Sequence, residues 1–311
     1  MTDLLKVTTY FGERRHAGDR FLADALFDIY GRHQVRTSIL LRGIEGFGAK
    51  HHLRTDTLLT LSEDLPLVSL AVDAPERIEG LLGEVGALER HGLVTVEPAR
   101  AAATNLYGEI RLTVYVGRQD RVGGRPAFVA VCDLLRRHGV AGATVLLGVD
   151  GTVRGVRRRA RFFARNADVP VMILAVGAAE AIAAALPELR DWPVTIERVR
   201  VCKRDGRQLA APGQDRPLEK LMVFSSEHVE LVRRLRAAGA RGVTCLRGVW
   251  GFHGDHEPHG DRLLQLRRRA PIVTVVIDAP DRIARVFEVV DEATRERGLV
   301  TSEGLPAARG G

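Results

Sequence analysis

Apolar residues in this chain change their spacing in a regular order, which predicts strands and helices in turn. The clearest strand signal covers 110–116. There Ile110, Leu112 and Val114 share one side of an extended chain, and Arg111 lies on the other. Strict alternation of this kind predicts a strand with one buried face and one polar face.

The remaining elements are clearest in the first third of the chain. Spacings of three and four residues predict amphipathic helices, and short apolar runs predict strands. The predicted segments are helices around 22–29 and 78–88 and strands at 39–41, 67–72 and 93–96. With one strand before the first helix, the order is βαββαβ. We interpret the glycine-rich stretch after the second strand as a loop.

The same order recurs because the chain consists of three copies of one unit. The segment from Leu65, LPLVSLAVDAPERI, aligns without gaps with the segment from Ala270, APIVTVVIDAPDRI, at a displacement of 205. The glycine stretches RGIEGFGAKHHLRTD from Arg42 and RGVWGFHGDHEPHGD from Arg247 are displaced by the same 205 positions. Internal similarity at a fixed displacement indicates a repeat architecture.

The middle of the chain is a more diverged copy. VTTYFGERRHAGDRF, from Val7, resembles LTVYVGRQDRVGGRP, from Leu112, at a displacement of 105. We therefore predict three domains, called here the first, second and third repeat, over 1–100, 109–204 and 218–306. The linkers between them are rich in Ala, Gly, Pro and charged residues.

The order βαββαβ is that of the ferredoxin-like fold, so the predicted class is α+β. Two crossover helices cover only one face of a four-stranded sheet, and the other face needs a partner. Three sheets in one chain can bury their uncovered faces against one another. Covalent linkage makes that association intramolecular. We therefore expect an intramolecular pseudo-trimer that is a monomer in solution.

Charge and cysteine content add little to this picture. The 311 residues include 46 Lys and Arg against 39 Asp and Glu, a formal net charge of +7, and nearly all the cations are arginine. Arginine suits anion recognition, although a GC-rich genome would also favour it. The three cysteines are scattered. No secretory leader or membrane-length apolar run is recognisable, so we expect a cytoplasmic protein.

The glycine stretches are the first candidate site. Gly43, Gly46 and Gly48 correspond to Gly248, Gly251 and His253. Glycines allow close backbone approach, so exposed N–H groups can bind a phosphate. Neither stretch completes a P-loop or a dinucleotide-binding fingerprint. The alternative is a hairpin whose glycines only form turns. The aromatic residues beside them, Phe47 and Phe252, could stack on a base or pin the loop.

Two further clusters of residues are weaker candidates for a binding site. His253, His256 and His259 lie among acidic residues and could bind zinc or copper, but a solvated polar loop is the favoured interpretation. Six arginines between Arg154 and Arg165 could attract nucleic acid. We favour a basic hairpin or a protein-docking surface and expect no nucleic-acid partner.

The segments YFGERRHAGDRF, LLRGIEGFGAKHHLRTD and LSEDLPLVSLAVDAPERI resemble the "domain of unknown function 190" family, which belongs to the PII-like group of trimeric proteins. The third repeat lacks GERRHAGDR, and the second replaces GFG with GTVRG. The resemblance implies small effectors, often adenine nucleotides, in clefts between neighbouring units. It also implies loops that dock on a transporter, channel or enzyme, with fluoride-channel proteins linked by genomic association.

No Ser-His-Asp order, zincin motif or paired-carboxylate setting is present, so we expect a non-enzymatic regulator. The alternative is a divalent-metal-binding protein resembling the CutA branch of the same fold. Only the first repeat has both the hairpin segment and G-F-G, so we expect its loop to form the best cleft. The predicted effector-binding residues are Arg20, Arg42, Gly43, Gly46, Phe47, Gly48, Arg247, Gly248, Gly251 and Phe252.

Overall fold

The computed structural model is a mixed α/β structure with mostly antiparallel sheet. It describes residues 3–48, 54–55, 64–88, 92–101, 106–159, 168–213, 215–226, 228–253, 259–260 and 271–306. Six α-helices lie within these ranges. No helix within them is both long and apolar enough to cross a membrane.

Each repeat has four main strands and two helices, in the predicted order. The first repeat comprises β1 (Asp3–Gly12), β2 (His16–Ala17), β3 (Arg20–Phe21), α1 (Leu22–Arg32), β4 (Thr37–Arg42), β5 (Glu45–Phe47), β6 (Arg54–Thr55), β7 (Pro66–Asp73), α2 (Pro75–Leu88) and β8 (Leu93–Arg100). The second comprises β9 (Glu109–Gly117), β10 (Arg121–Val122), β11 (Arg125–Pro126), α3 (Ala127–Arg137), β12 (Gly142–Val153), β13 (Val156–Arg159), β14 (Pro170–Ala178), α4 (Ala179–Ala185), a 3₁₀ turn (Leu186–Leu189) and β15 (Val194–Arg204). The third, after β16 (Arg207–Gln208), comprises β17 (Leu218–Ser225), α5 (Val229–Ala237), β18 (Val243–His253), β19 (His259–Gly260), β20 (Ile272–Asp278), α6 (Pro280–Ala293) and β21 (Leu299–Leu305).

The main strands of every repeat pair in the same spatial order. In the first repeat β1 lies between β7 and β8, and β4 pairs with β7. The second repeat has the same arrangement around β9, and the third has it around β17. Each sheet therefore has the antiparallel order fourth, first, third, second.

The helices cover the outer face of each sheet because each has an apolar stripe. In α1 the buried stripe is Leu22, Leu26, Phe27, Ile29 and Tyr30. Helix and sheet residues together form one hydrophobic core in each repeat. This is the packing that the helical spacing in the sequence predicted.

The inner faces of the three sheets pack on one another. A fourth hydrophobic cluster draws residues from all three repeats. Its buried members are Ile39, Leu41, Val68, Leu70, Val72, Tyr115, Leu146, Met172, Leu174, Met222, Leu246, Val273, Val275, Ile277 and Leu305. This shared cluster supplies the partner that each uncovered sheet face requires.

Strand pairing also links the repeats in a closed cycle. In the first repeat, β5 continues past its own sheet and pairs with the start of β18. The end of β18 pairs with the start of β12, and the end of β12 pairs with β4. The described parts of the glycine-rich stretches are therefore mostly strand. Their interpretation as loops was wrong, because a neighbouring repeat provides a pairing edge that a single repeat lacks.

A ring of six buried ionised side chains joins the inner sheet faces. Each repeat contributes one cation from its first strand, Lys6, Arg111 or Lys220, and one glutamate from its fourth. The ring runs Lys6, Glu197, Arg111, Glu303, Lys220, Glu97 and back to Lys6. The N–O distances are 2.9 Å for Lys6–Glu97, 3.4 Å for Arg111–Glu197, 2.6 Å for Lys220–Glu97 and 2.7 Å for Lys220–Glu303.

Every member of the ring contacts two opposite charges, one from its own repeat and one from a neighbour. These side chains are only 2–11% exposed. Burial alone would raise the pKa of Glu303, but Arg111 and Lys220 outweigh it and lower the pKa to about 2. The alternation of three cations with three carboxylates compensates the cost of removing six charges from water.

Glu303→Gln should destabilise the protein by about 3 kcal/mol at pH 7, because it leaves Arg111 and Lys220 partly unpaired in the interior. A carboxyl with a lowered folded-state pKa stabilises the fold above its unfolded pKa of about 4.3, and that stability is lost as the pH falls. The difference from wild type should therefore shrink between about pH 5 and pH 2, when followed by urea unfolding. Asp281→Asn, which breaks an exposed pair with Arg285, is the control and should change stability by less than about 0.5 kcal/mol. An equally small effect of Glu303→Gln would contradict the role of the ring.

Candidate functional site

The glycine motif lies at the junctions between repeats. Gly46 pairs with Thr244, and a Cβ at Gly46 would collide with the carbonyl oxygen of Val243. Gly251 is in the same position against Ala143. These glycines allow two backbones to lie close together, and a side chain at either position would prevent that approach.

Gly151 repeats this arrangement in the second repeat. A Cβ there would collide with the carbonyl oxygen of Ser38 and lie 2.9 Å from the Cα of Ile39. Its φ of 155° is also rarely adopted by other residues. The second repeat, in which GTVRG replaces G-F-G, therefore keeps the same close backbone approach through a single glycine.

A second set of glycines lies three residues earlier in the chain. At Gly43 a Cβ would lie 2.7 Å from Cγ of Pro66, and at Gly248 it would lie 2.8 Å from Cγ of Pro271. Gly48, in contrast, is exposed, and a Cβ there would meet no atom of the described residues within 4 Å. The predicted effector-binding glycines thus divide into four packed positions and one open position.

The two phenylalanines of the motif pin the junctions. Phe47 is 4% exposed and belongs to the hydrophobic core of the third repeat. Phe252 is equally buried in the core of the second repeat, where Val249 packs beside it. Of the two roles that the sequence left open, the burial of both rings favours pinning.

The predicted arginines lie on the surface and, in the first repeat, are paired with acids. Arg42 forms a bidentate pair with Glu13, at 3.0 and 2.9 Å. Arg20 pairs with Asp28 at 2.6 Å. Arg247 is exposed near the end of the third repeat's own pairing between β18 and β20. The ten predicted residues are therefore not gathered into one pocket.

A cleft of about 1020 Å³ opens at the junction of the second and third repeats. The sequence analysis named three of its lining residues as candidates: Gly251 and Phe252 from the glycine motif and His253 from the histidine cluster. The lining comprises 142–144, Leu174, Val176, Asp205, 224–226, 251–253, Pro271, Ile272, 292–293 and 295–299.

The cleft occurs where the third repeat is shortest. In the first repeat the hairpin β2–β3 follows β1, and in the second the hairpin β10–β11 follows β9. In the third repeat only 226–228 separate β17 from α5. The end of β17, at Phe224 and Ser225, therefore lines the cleft. The missing hairpin is visible in the sequence, but its effect on the neighbouring junction is not.

The cleft combines apolar walls with charged groups. Leu174, Val176 and Leu299 are buried. His253 contacts Asp205 through Nε2 at 2.6 Å, and Arg295 and Arg297 are exposed at the mouth. Such a lining suits a small molecule that has both an apolar part and a polar or charged part.

Metal ligands are not gathered in the described part of the chain. No group of three His, Cys, Asp or Glu side chains there could hold a metal ion. Of the histidine cluster, His253 pairs with Asp205, His256 lies outside the described residues, and so does the side chain of His259. Burial raises the pKa of the Cys202 and Cys245 thiols to about 12, so both are protonated at neutral pH.

Comparison with known proteins identifies the family and a curated relative. A family model described as "DUF190: Uncharacterized ACR" matches residues 4–101, 109–201 and 225–307. The UPF0166 protein of Aquifex aeolicus (strain VF5) is 29% identical over 94 residues, which are 27% of this chain and 88% of the relative. That relative is therefore about as long as one repeat.

Among solved structures, an aspartate kinase from Synechocystis is 12% identical, with a TM-score of 0.30. The likeness covers 96% of this chain and 43% of the kinase, so the chain spans less than half of that protein's length. At this TM-score the likeness carries no information about activity.

Gly46→Ala should destabilise the protein by about 1–3 kcal/mol, because the new Cβ forces β5 away from β18. Gly151→Ala should cost at least as much, since its φ is also unfavourable. Gly48→Ala is the matched control and should change stability little. Urea unfolding of the three variants measures this. A Gly48 variant as unstable as the Gly46 variant would contradict the packing role.

Proposed function

The chain belongs to the "domain of unknown function 190" family through all three of its repeats, and from that membership we propose that it is a non-enzymatic regulatory protein. It binds a small effector in a cleft between repeats and docks on a partner protein through its surface loops. The effector class is an adenine nucleotide, and the partner class is a membrane transporter or channel, including fluoride channels. Both classes come from the family resemblance. The proposal includes a cytoplasmic location.

The fold is part of the same proposal. We infer three ferredoxin-like modules that form an intramolecular PII-like pseudo-trimer. The strand order of each repeat, the cyclic pairing of β5, β18, β12 and β4, and the shared inner cluster support this inference. In such an arrangement the three junctions play the part of subunit interfaces, but their sequences differ.

The observation that carries the effector proposal is the cleft at the junction of the second and third repeats. Its volume of about 1020 Å³ is at the upper end of the usual range for small-molecule sites. Arg295 and Arg297 provide guanidinium groups for the anionic part of a ligand. The same lining holds the carboxylates of Asp205, Glu292 and Glu296, and the buried Leu174 and Val176 form an apolar wall. Hydroxyl groups of Ser226 and Thr144 complete a mixed lining.

This location differs from the one that the sequence favours. The first repeat has the complete motifs, so its loop is the expected site. In the structure, Gly43, Gly46 and Phe47 pack against other residues at the junction with the third repeat. The incomplete third repeat leaves open the space that a ligand needs.

Isothermal titration with ATP, ADP, cyclic AMP, Zn²⁺ and Cu²⁺ tests the effector proposal. We expect a nucleotide to bind with one site per chain, because the three junctions are unequal. Heat only from the metals would favour the CutA-like alternative, and no heat from any of the five would refute small-effector binding within this panel.

The same titration, carried out on two variants, tests whether the ligand binds in this cleft. Ser226→Trp should weaken nucleotide binding about tenfold or more by filling the cleft. The control is Ala183→Trp, which places the same side chain on the exposed face of α4. Equal affinities for both variants would exclude this cleft as the site.

The assembly proposal predicts a monomer. If the three repeats satisfy one another, light scattering should give a mass near the 34.1 kDa of one chain over a wide range of concentration. A stable homotrimer would contradict the pseudo-trimer, since each repeat would then have found its partners in other chains.

A further inference from the structure

The second repeat carries a hairpin, and two of its arginines, Arg157 and Arg159, contact the first repeat. Strands β12 and β13 pair from Asp150–Arg159 to Val153–Val156 and turn through Arg154. The hairpin is anchored to the first repeat by backbone contacts, including the bond from the amide of Gly155 to the carbonyl of Arg36, at 2.9 Å. Its backbone position is therefore set by strand pairing and not by its charged side chains.

The arginine side chains form a ladder with acids of both repeats. Arg159 pairs with Asp24 of α1 at 2.7 Å. Arg157 lies 3.9 Å from Asp28, one turn further along that helix, and the close partner of Asp28 is Arg20, at 2.6 Å. Arg157 also pairs with the buried Asp150 of its own repeat at 2.9 Å. We call Arg154, Val156, Arg157 and Arg159 the arginine edge.

The contacts to Asp24 and Asp28 are exchangeable. The side chains of Arg157 and Arg159 are 40% and 56% exposed, and those of Asp24 and Asp28 are 29% and 37% exposed. Exposed ion pairs contribute about 0.2–1 kcal/mol each. An incoming carboxylate can therefore replace either aspartate at little cost. Because the backbone is held independently, the exchange requires no movement of the hairpin.

Charge is distributed unevenly between the repeats. Within 109–204 there are 17 Lys and Arg against 9 Asp and Glu, whereas 1–100 contains 12 against 15. The second repeat thus accounts for the positive net charge of the chain. Val156, at the turn of the same hairpin, is 57% exposed and adds apolar surface to it. This combination suits an acidic polypeptide segment with an apolar residue.

We propose that the arginine edge docks an acidic segment of a partner protein, and that Asp24 acts as an intramolecular competitor for its arginines. This inference rests on the proposed docking role and specifies the surface and the chemistry of the partner.

Fluorescence anisotropy with a fluorescein-labelled octaglutamate peptide at low ionic strength tests the proposal on the full chain. Arg157→Ala with Arg159→Ala should weaken peptide binding about fivefold, as expected for two exposed charge contacts. The matched control is Arg136→Ala with Arg137→Ala, which removes the same charge from α3 of the same repeat. This control should have a clearly smaller effect.

The competitor has a second, opposite test. Asp24→Asn should tighten peptide binding about threefold by releasing Arg159. Glu76→Gln, in the first turn of α2, changes the net charge equally and should have little effect. If the arginine variant and its α3 control, or the α1 variant and its α2 control, changed peptide affinity equally, the proposal would be overturned in favour of general electrostatic attraction.

Binding of an eight-nucleotide oligothymidine tests the alternative that the arginine edge binds nucleic acid. If it bound more tightly than the peptide with the same dependence on Arg157 and Arg159, the arginine edge would be a nucleic-acid site and the proposal would be wrong. These outcomes are independent of nucleotide titration at the cleft, so failure here leaves effector binding untouched.

Discussion

The buried ring of Lys6, Glu197, Arg111, Glu303, Lys220 and Glu97 is the constraint on which the rest of the structure depends. A single repeat that buried its lysine or arginine and its glutamate would satisfy each charge only once. In the ring every charge has two partners, and the second always comes from another repeat. Removing any repeat would leave one cation and one glutamate of the other two with a single partner each in an apolar interior, where incomplete pairing is costly. The ring therefore favours three repeats in a closed cycle over two repeats or an open chain.

The glycine motif allows the backbones of the three repeats to pair in the same closed cycle. Each second strand extends beyond its own sheet to the next repeat, and the strand edge that would otherwise be free is paired there. Glycine at 46, 151 and 251 allows the two backbones to meet, and Phe47 and Phe252 then fill the neighbour's core. Motif residues that suggest ligand binding are thus used for assembly.

Covalent linkage of the three repeats allows the junctions to differ. The third repeat has no hairpin between β17 and α5 in its described residues, and a cleft opens at its junction with the second. The second repeat carries the arginine edge, whose partners Asp24 and Asp28 belong to the first. The position of Glu45 in the first repeat corresponds to Asp150 and Trp250 in the others, so each junction also has its own side-chain chemistry. A homotrimer would carry the same residue at all three junctions.

The sequence alone determined the number of repeats, the order of their elements and the faces that the helices bury, because these depend on local spacing of apolar residues. It also located the glycine motif and the missing hairpin. It did not indicate the ring: Arg111 falls on the polar side of an alternating strand, which locally resembles a solvated face, yet it is 2% exposed. Nor could it distinguish a glycine that binds a phosphate from Gly46, which accommodates the backbone at Val243, or place the cleft beside the repeat with the least complete motif. Those roles depend on contacts between residues far apart in the chain, and only the tertiary structure brings such partners together.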